Sequence, residues 1–176
     1  LLYDKEKYLD NYIDDFYRII NVIVINLQLN EKDVLLEMCC GNGLFTYELA
    51  SFVKQIYAFD FTKALIDNAH KFKSHSRLIY KVGDMNEDFK IIFSDEYNLP
   101  IIHKYLINDA TAYLTPILLS KLLDRIKNDF LLFSIYLTNI PNNDKKWNFY
   151  YTEEQKNKYE NFKKIYYKIK NDENTK

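Results

Sequence analysis

The chain has 176 residues, 48% of them hydrophobic and 28% charged, and its formal net charge is −1. This length and composition are typical of one folded domain and exclude a disordered chain. The near-zero charge provides no basic surface for nucleic acid or an anionic membrane, so we expect neither partner. The only two cysteines are adjacent, and no apolar run is long enough to span a bilayer, which together predict a cytoplasmic protein.

The first part of the chain alternates helical and strand patterns. Apolar residues recur at helical spacing from Asp4 to Leu29 and predict a long amphipathic helix. The elements predicted after it are strand 34–38, helix 44–54, strand 56–60, helix 62–72 and strand 78–82.

In the second part of the chain, the sequence pattern allows two positions for the fourth strand. A fourth strand fits residues 97–102, or residues 101–107 if Pro100 is kept out of the sheet, because proline cannot donate to a strand ladder. The elements predicted after it are helix 112–127, strand 129–137 and a final helix 152–169.

Strands that alternate with helices predict an α/β fold, a Rossmann-like, doubly wound and mostly parallel sheet with flanking helices. We expect a single domain over residues 1–176. Within it, residues 1–30 form a helical lid or cap, residues 31–137 the ligand-binding core, and residues 138–176 a C-terminal loop and helix.

The most informative motif joins the first strand to the helix that follows it. Two of the three glycines of the chain, Gly41 and Gly43, lie in this turn, after the acidic residue Glu37. Such a turn places backbone N–H groups and a helix N-terminus at the carboxyl end of a strand, where open α/β sheets bind their ligands. The second strand ends at Asp60, at the spacing of about 20 residues that lets a carboxylate reach a ribose. Asp84 follows the third strand.

These three motifs together resemble those of the class I S-adenosylmethionine-dependent methyltransferases. The resemblance covers residues 34–137 and implies S-adenosyl-L-methionine as the cofactor. It implies that the acidic residue and the glycine turn hold the methionine portion, that Asp60 holds the ribose and Phe61 packs on the adenine, and that Asp84 and Met85 read the adenine edge. The cofactor residues carried over in this way are Glu37, Cys39, Gly41, Asn42, Gly43, Asp60, Phe61, Asp84 and Met85.

Two features of the turn set this chain apart from alternatives. Cys39 stands at the first glycine position of the methyltransferase motif, a small residue that still lets the backbone approach a ligand. A nicotinamide-dinucleotide fold would need a third glycine where Thr46 stands, and the bulky Phe45 beside it argues further against an oxidoreductase.

The acceptor side is less defined. In this family, residues just past the fourth strand face the methyl group. In this sequence they are His103 in one register, and Asn108 with Asp109 in the other. His103 and Asp109 are the candidate catalytic residues. Tyr12 is a candidate lid residue over the cofactor. No histidine and cysteine set has metal-ligand spacing, so we expect no metal.

We expect methyl transfer to the oxygen or nitrogen of a small-molecule or sugar-like substrate. No Asn/Asp-Pro-Pro-aromatic signature follows the fourth strand, which disfavours methylation of an exocyclic base amine. A catalytically silent module that uses the fold for binding is the alternative.

The resemblance also implies a seven-stranded sheet, of which the sequence supplies five strands. We expect the C-terminal hairpin to be missing from a chain that is part of a longer protein. The apolar fifth strand would then be an edge that needs cover, either from the aromatic segment 147–151 or from a second copy in a homodimer.

Overall fold

The computed structural model of the chain describes residues 5–95, 100–111, 114–129 and 133–138 and the single helical positions Glu153 and Asn157. The chain divides into two compact units, residues 1–140 and 141–176. The sheet and the site below lie in the first unit. The predicted missing hairpin, the final helix apart from its two helical positions, and the cover over the fifth strand lie outside the described residues.

The described elements alternate as the sequence pattern predicts. Their bounds are α1 Lys5–Leu27, β1 Val34–Met38, α2 Leu44–Leu49, β2 Gln55–Asp60, α3 Lys63–Phe72, β3 Leu78–Val82, α4 Phe89–Ile92, β4 Lys104–Ile107, α5 Pro116–Asp129 and β5 Ser134–Leu137. A short 3-10 turn, Ala50–Phe52, follows α2. None of the described helices is long and apolar enough to cross a membrane.

The five strands form one parallel sheet in the order β3-β2-β1-β4-β5. The chain moves from β1 to β2 and β3 on one side, and then crosses to β4 and β5 on the other. The carboxyl ends of β1 and β4 therefore lie at the point where the strand order reverses, which is where open α/β sheets bind ligands.

Two apolar layers enclose the sheet, because successive strand residues point to opposite faces. One layer joins α1, α2 and α3 to the sheet and includes Ile23, Leu35, Leu49 and Ile66. The other joins α4 and α5 to the opposite face. The sheet is thus covered by helices on both faces, and the predicted doubly wound fold is confirmed.

The differences from the predicted elements have local causes. β4 takes the second of the two open registers and leaves Pro100 outside the sheet. α5 begins at Pro116 and not at residue 112, because the Thr115 hydroxyl accepts the Leu118 N–H at 3.2 Å and Pro116 suits a first helical position. The short helix α4 was not predicted; Asp88 caps it by accepting the Lys90 N–H at 2.9 Å.

Candidate active site

A cleft of about 650 Å³ opens at the carboxyl ends of β1, β2 and β4. Most of the predicted site residues line it, because they follow strands that run in the same direction. Those in its wall are Glu37, Cys39, Gly41, Asn42, Asp60, Phe61, Asp84, Met85 and Asp109.

The turn over residues 39–43, here called the cofactor-side loop, has an unusual backbone. Cys39, Gly41 and Gly43 have φ angles of 62°, 57° and 74°, all in the left-handed region. Glycine adopts this region without steric cost, whereas other L-residues are strained there. Cys39 therefore keeps the conformation of the glycine that the motif expects, at a cost in conformational energy.

The two glycines of this loop have different surroundings. A Cβ atom added to Gly41 would meet no atom within 4 Å, since this backbone borders the open cleft. A Cβ atom added to Gly43 would lie 2.6 Å from the hydroxyl of the buried Tyr80. Gly43 is thus required by packing inside the protein, and Gly41 leaves room for a ligand at its surface.

Asp60 links the ends of β1 and β2. Its Oδ2 atom accepts the Gly41 N–H at 3.0 Å, and its Oδ1 atom accepts the Thr62 N–H at 2.9 Å. The carboxylate is 6% exposed, and its remaining lone pairs are available in the cleft wall. Asp60 fixes the cofactor-side loop whether or not it also holds a ribose.

The adenine end of the expected cofactor site is formed by Phe61 and the loop after β3. Phe61 is 73% exposed and lines the cleft. Asp84 accepts the backbone N–H of Asn86 at 2.9 Å and its side-chain amide at 2.8 Å.

Arg125 of α5 was not predicted from the sequence, and it binds the loop after β3. Its guanidinium donates to the carbonyl of Asn86 at 3.1 Å, to that of Glu87, and to that of Met85 at 3.5 Å. Three consecutive carbonyls thus share one cation, which holds the loop in place.

Glu37 is a buried carboxylate at the end of β1, 2% exposed. Burial raises its pKa to about 7, while the neighbouring Thr46 side chain lowers it. Its Oε2 atom has no hydrogen-bond partner among the described residues. An unpartnered buried carboxylate in a cleft wall suits a cationic ligand.

The thiols of Cys39 and Cys40 differ from Glu37 because they stay uncharged near neutral pH. Burial raises the pKa of Cys39 to about 12, with a further rise from the charges of Asp60, Asp84 and Glu37. Burial raises the pKa of Cys40 as well. Both remain protonated near neutral pH and are poor nucleophiles. The described residues include no group of three or more acidic, His or Cys side chains placed to hold a metal ion.

The segment after β4, residues 108–111, is here called the acceptor-side loop. Asp109 has a φ angle of 57°, and its N–H donates to the Thr138 hydroxyl at 2.9 Å. That hydroxyl donates in turn to Oδ1 of Asn108 at 2.7 Å, and Thr111 donates to the Thr138 carbonyl at 3.0 Å. Thr138 was not predicted, because it approaches this loop only when β5 pairs with β4.

A second cavity of about 460 Å³ adjoins the cleft. Phe45, Asn108 and Asp109 line both spaces, and Arg18 and Tyr136 line only the second. Residues at this shared wall are therefore within reach of a ligand in either space.

Three predicted residues lie elsewhere. His103 precedes β4 at the amino end of the strand, opposite the cleft, so its expected catalytic role is wrong for this register. Tyr12 is 56% exposed and does not line the cleft. α1 reaches the site through Phe16 instead, whose ring lies 4.9 Å from that of Phe45. Gly43 supports the loop without lining the cleft.

Comparison with protein families gives a match to the ribosomal RNA adenine dimethylase model over residues 3–170. No protein of curated function matches the chain.

Solved structures share the fold. A precorrin 8W decarboxylase from Methanobacterium thermoautotrophicum has a TM-score of 0.54 and 20% identity over 73% of this chain and 65% of its own. A dimethyladenosine transferase from Plasmodium falciparum has a TM-score of 0.51 and 20% identity over 68% of this chain and 40% of its own. A phosphoethanolamine N-methyltransferase from Haemonchus contortus, in complex with S-adenosylhomocysteine, has a TM-score of 0.55 and 17% identity over 70% of this chain and 26% of its own. The chain thus spans less than two thirds of these structures, whose likeness shows the fold alone.

The family match corrects two expectations. A small-molecule or sugar-like acceptor, and the absence of a nucleic-acid partner, are both contradicted by a family whose described substrate is ribosomal RNA. The expectation rested on a net charge of −1, but net charge does not report how charge is distributed over a surface. It rested also on the Asn/Asp-Pro-Pro-aromatic signature, which is absent from the sequence after β4.

Proposed function

Because the chain belongs to the ribosomal RNA adenine dimethylase family, we propose that it transfers methyl groups from S-adenosylmethionine to the exocyclic amine of an adenine in ribosomal RNA. The observation that carries the proposal is the cleft at the carboxyl ends of β1, β2 and β4, where the cofactor motifs of the sequence come together.

The cleft fits this cofactor in three independent ways. The unpartnered Oε2 of Glu37 matches a cationic amino group. The open space beside Gly41 lets a ligand contact the backbone where a side chain would obstruct it. The exposed Phe61 ring offers an apolar face to a purine.

We assign the cofactor contacts accordingly. Glu37 and the cofactor-side loop hold the methionine portion, Asp60 accepts from the ribose hydroxyls, and Phe61, Asp84 and Met85 surround the adenine. The bound cofactor supplies an electrophilic methyl group on a sulfonium. The protein aligns the acceptor nitrogen with that methyl group and excludes water, which contributes most of the catalysis in an in-line displacement.

The acceptor amine must lose a proton as its nitrogen forms the bond to the methyl carbon and the carbon–sulfur bond breaks. Asn108 and Asp109 line the wall between the two spaces and carry oxygens that can accept hydrogen bonds from the amine. We assign the proton to the Asp109 carboxylate, with transfer from there to water.

The acceptor-side loop reads Asn108-Asp109-Ala110-Thr111 and so has no aromatic residue to stack on the target base. Among the described residues, Phe45 and Tyr136 line the second cavity and are in position to replace it. A base taken out of its stack is commonly held between such side chains.

The test is transfer of labelled methyl groups from S-adenosylmethionine to ribosomal RNA, with nucleoside analysis for adenines that carry one and two methyl groups. Transfer to a small metabolite and not to RNA would contradict the proposal. Transfer to a base other than adenine would also contradict it.

Cofactor binding is tested separately by calorimetry with S-adenosylhomocysteine on a matched pair of variants. Phe61→Ala should weaken binding, because the ring borders the cleft. Phe72→Ala removes a ring of similar exposure, 65% against 73%, from the far end of α3 and should leave binding unchanged. Equal effects of the two substitutions would contradict the assignment of Phe61.

A further inference from the structure

The acceptor-side loop is bound to the segment that follows β5. It contains no proline, which would restrict φ, and Asp109 adopts a left-handed φ of 57°. Such a conformation in a non-glycine residue persists only when surrounding contacts hold it. Contacts of this kind come from Thr138, the residue that follows β5.

One side chain supplies two of those contacts. The Thr138 hydroxyl accepts the Asp109 N–H at 2.9 Å and donates its only proton to Oδ1 of Asn108 at 2.7 Å. The first bond holds the left-handed residue, and the second sets the rotation of the Asn108 carboxamide. The Thr138 backbone adds an independent bond, from its N–H to the Ile107 carbonyl at 3.1 Å, which a side-chain substitution leaves in place.

We propose that Thr138 is the positioning residue of the acceptor side: its hydroxyl orients Asn108 and Asp109 at the wall between the cofactor cleft and the second cavity. This inference rests on the proposed function for its catalytic consequence. With one lone pair of Oδ1 engaged by Thr138, the second remains to accept from an acceptor amine. Thr138 itself acts through Asn108 and Asp109.

A near-isosteric pair of variants tests the role of the hydroxyl. Thr138→Val keeps the branched shape and removes the hydroxyl, whereas Thr138→Ser keeps the hydroxyl. We expect Thr138→Val to slow single-turnover methyl transfer by about 10- to 100-fold, the loss that a small misplacement of reacting groups produces. Binding of S-adenosylhomocysteine should be unchanged, and Thr138→Ser should retain most of the wild-type rate.

A readout independent of catalysis separates this inference from the proposed function. Hydrogen exchange of the Asp109 amide should accelerate in Thr138→Val and remain slow in Thr138→Ser, whatever the substrate. Unchanged exchange in Thr138→Val would overturn the inference even if the protein methylates RNA. Faster exchange in Thr138→Val, together with a wild-type protein that transfers no methyl to RNA, would refute the proposed function and leave the positioning of the loop supported.

If Thr138→Val lowers cofactor affinity as much as it lowers the rate, its role is general stability and the inference fails. Wild-type rates in Thr138→Val would overturn it as well. Ser134→Ala, at an exposed position of β5, is the control for a substitution in the same segment that does not reach the loop.

Discussion

The cofactor-side loop and the acceptor-side loop are held in left-handed backbone conformations by different means. Both contain residues with a left-handed backbone at the carboxyl end of a central strand. The cofactor-side loop carries its own glycines and is held by Asp60 from the next strand of the chain. The acceptor-side loop carries none and is held by Thr138, which lies 29 residues after Asp109 in the chain. The backbone of the cofactor-side loop thus depends on glycines within the loop, whereas that of the acceptor-side loop depends on a side chain that follows β5.

The largest effect should come from Gly43→Ala. The new Cβ atom would lie 2.6 Å from the Tyr80 hydroxyl, at a φ of 74°. Left-handed strain and overpacking together should lower the free energy of unfolding by about 4 kcal/mol. Denaturant unfolding measures the change.

Gly41→Ala is the control within the same loop. It shares the left-handed strain, but its Cβ atom meets nothing within 4 Å, so it should cost only about 1 kcal/mol in stability. Its loss should appear in cofactor affinity instead, because the methyl group enters the cleft. Equal destabilisation by the two substitutions would contradict the distinction between them.

Glu37→Gln should change how the free energy of unfolding depends on pH. The folded pKa of Glu37 is about 7 against an ordinary 4.5, so the unfolded chain releases this proton more readily. The associated stability is fully present below about pH 4.5 and is lost as the pH rises through 7. The variant cannot ionise, and near pH 8 it should be more stable than the wild type by about 3 kcal/mol.

Unfolding at low and high pH checks the Glu37 prediction. The advantage of the variant should disappear near pH 4.5, while its affinity for S-adenosylhomocysteine should fall at neutral pH. A difference in stability that does not depend on pH would show that Glu37 is not the group responsible.

Asp60→Ala should break the link between the two strand ends. It removes a charged acceptor from the Gly41 and Thr62 N–H groups, which should cost about 2 kcal/mol in stability. Cofactor affinity should fall as well. Asp67→Ala, which removes an exposed ion pair with Lys63, should cost about 0.5 kcal/mol or less. Calorimetry that shows cofactor affinity unchanged in Asp60→Ala would remove the ribose assignment.

The smallest effect should be a gain from Cys39→Gly. Glycine relieves the strain at a φ of 62°, although it loses more backbone entropy on folding. The net result should be a stabilisation of about 0.5–1 kcal/mol, measured as a shift of the denaturation midpoint at constant slope. A loss of stability would mean that the packing of the thiol outweighs the strain.

The sequence allowed prediction of the parts that depend on neighbouring residues. The positions of Glu37, Gly41 and Asp60 followed from strand ends and turn chemistry, and the parallel sheet followed from the alternation of elements. Arg125 and Thr138 could not be found in this way, because each meets its loop only after distant strands and helices have packed. The proposed RNA substrate could not be read from composition, since a net charge of −1 describes the whole chain and not one face of it.

The wall shared by the two cavities has a consequence for binding equilibria. Phe45, Asn108 and Asp109 border both spaces, so occupants of the two spaces contact the same side chains and cannot bind independently. By thermodynamic linkage, if the first ligand changes the affinity for the second by some factor, the second ligand changes the affinity for the first by the same factor. Under the proposed function, RNA affinity should therefore depend on whether the cofactor or its demethylated product occupies the neighbouring cleft, and inhibition by that product should vary with the RNA concentration.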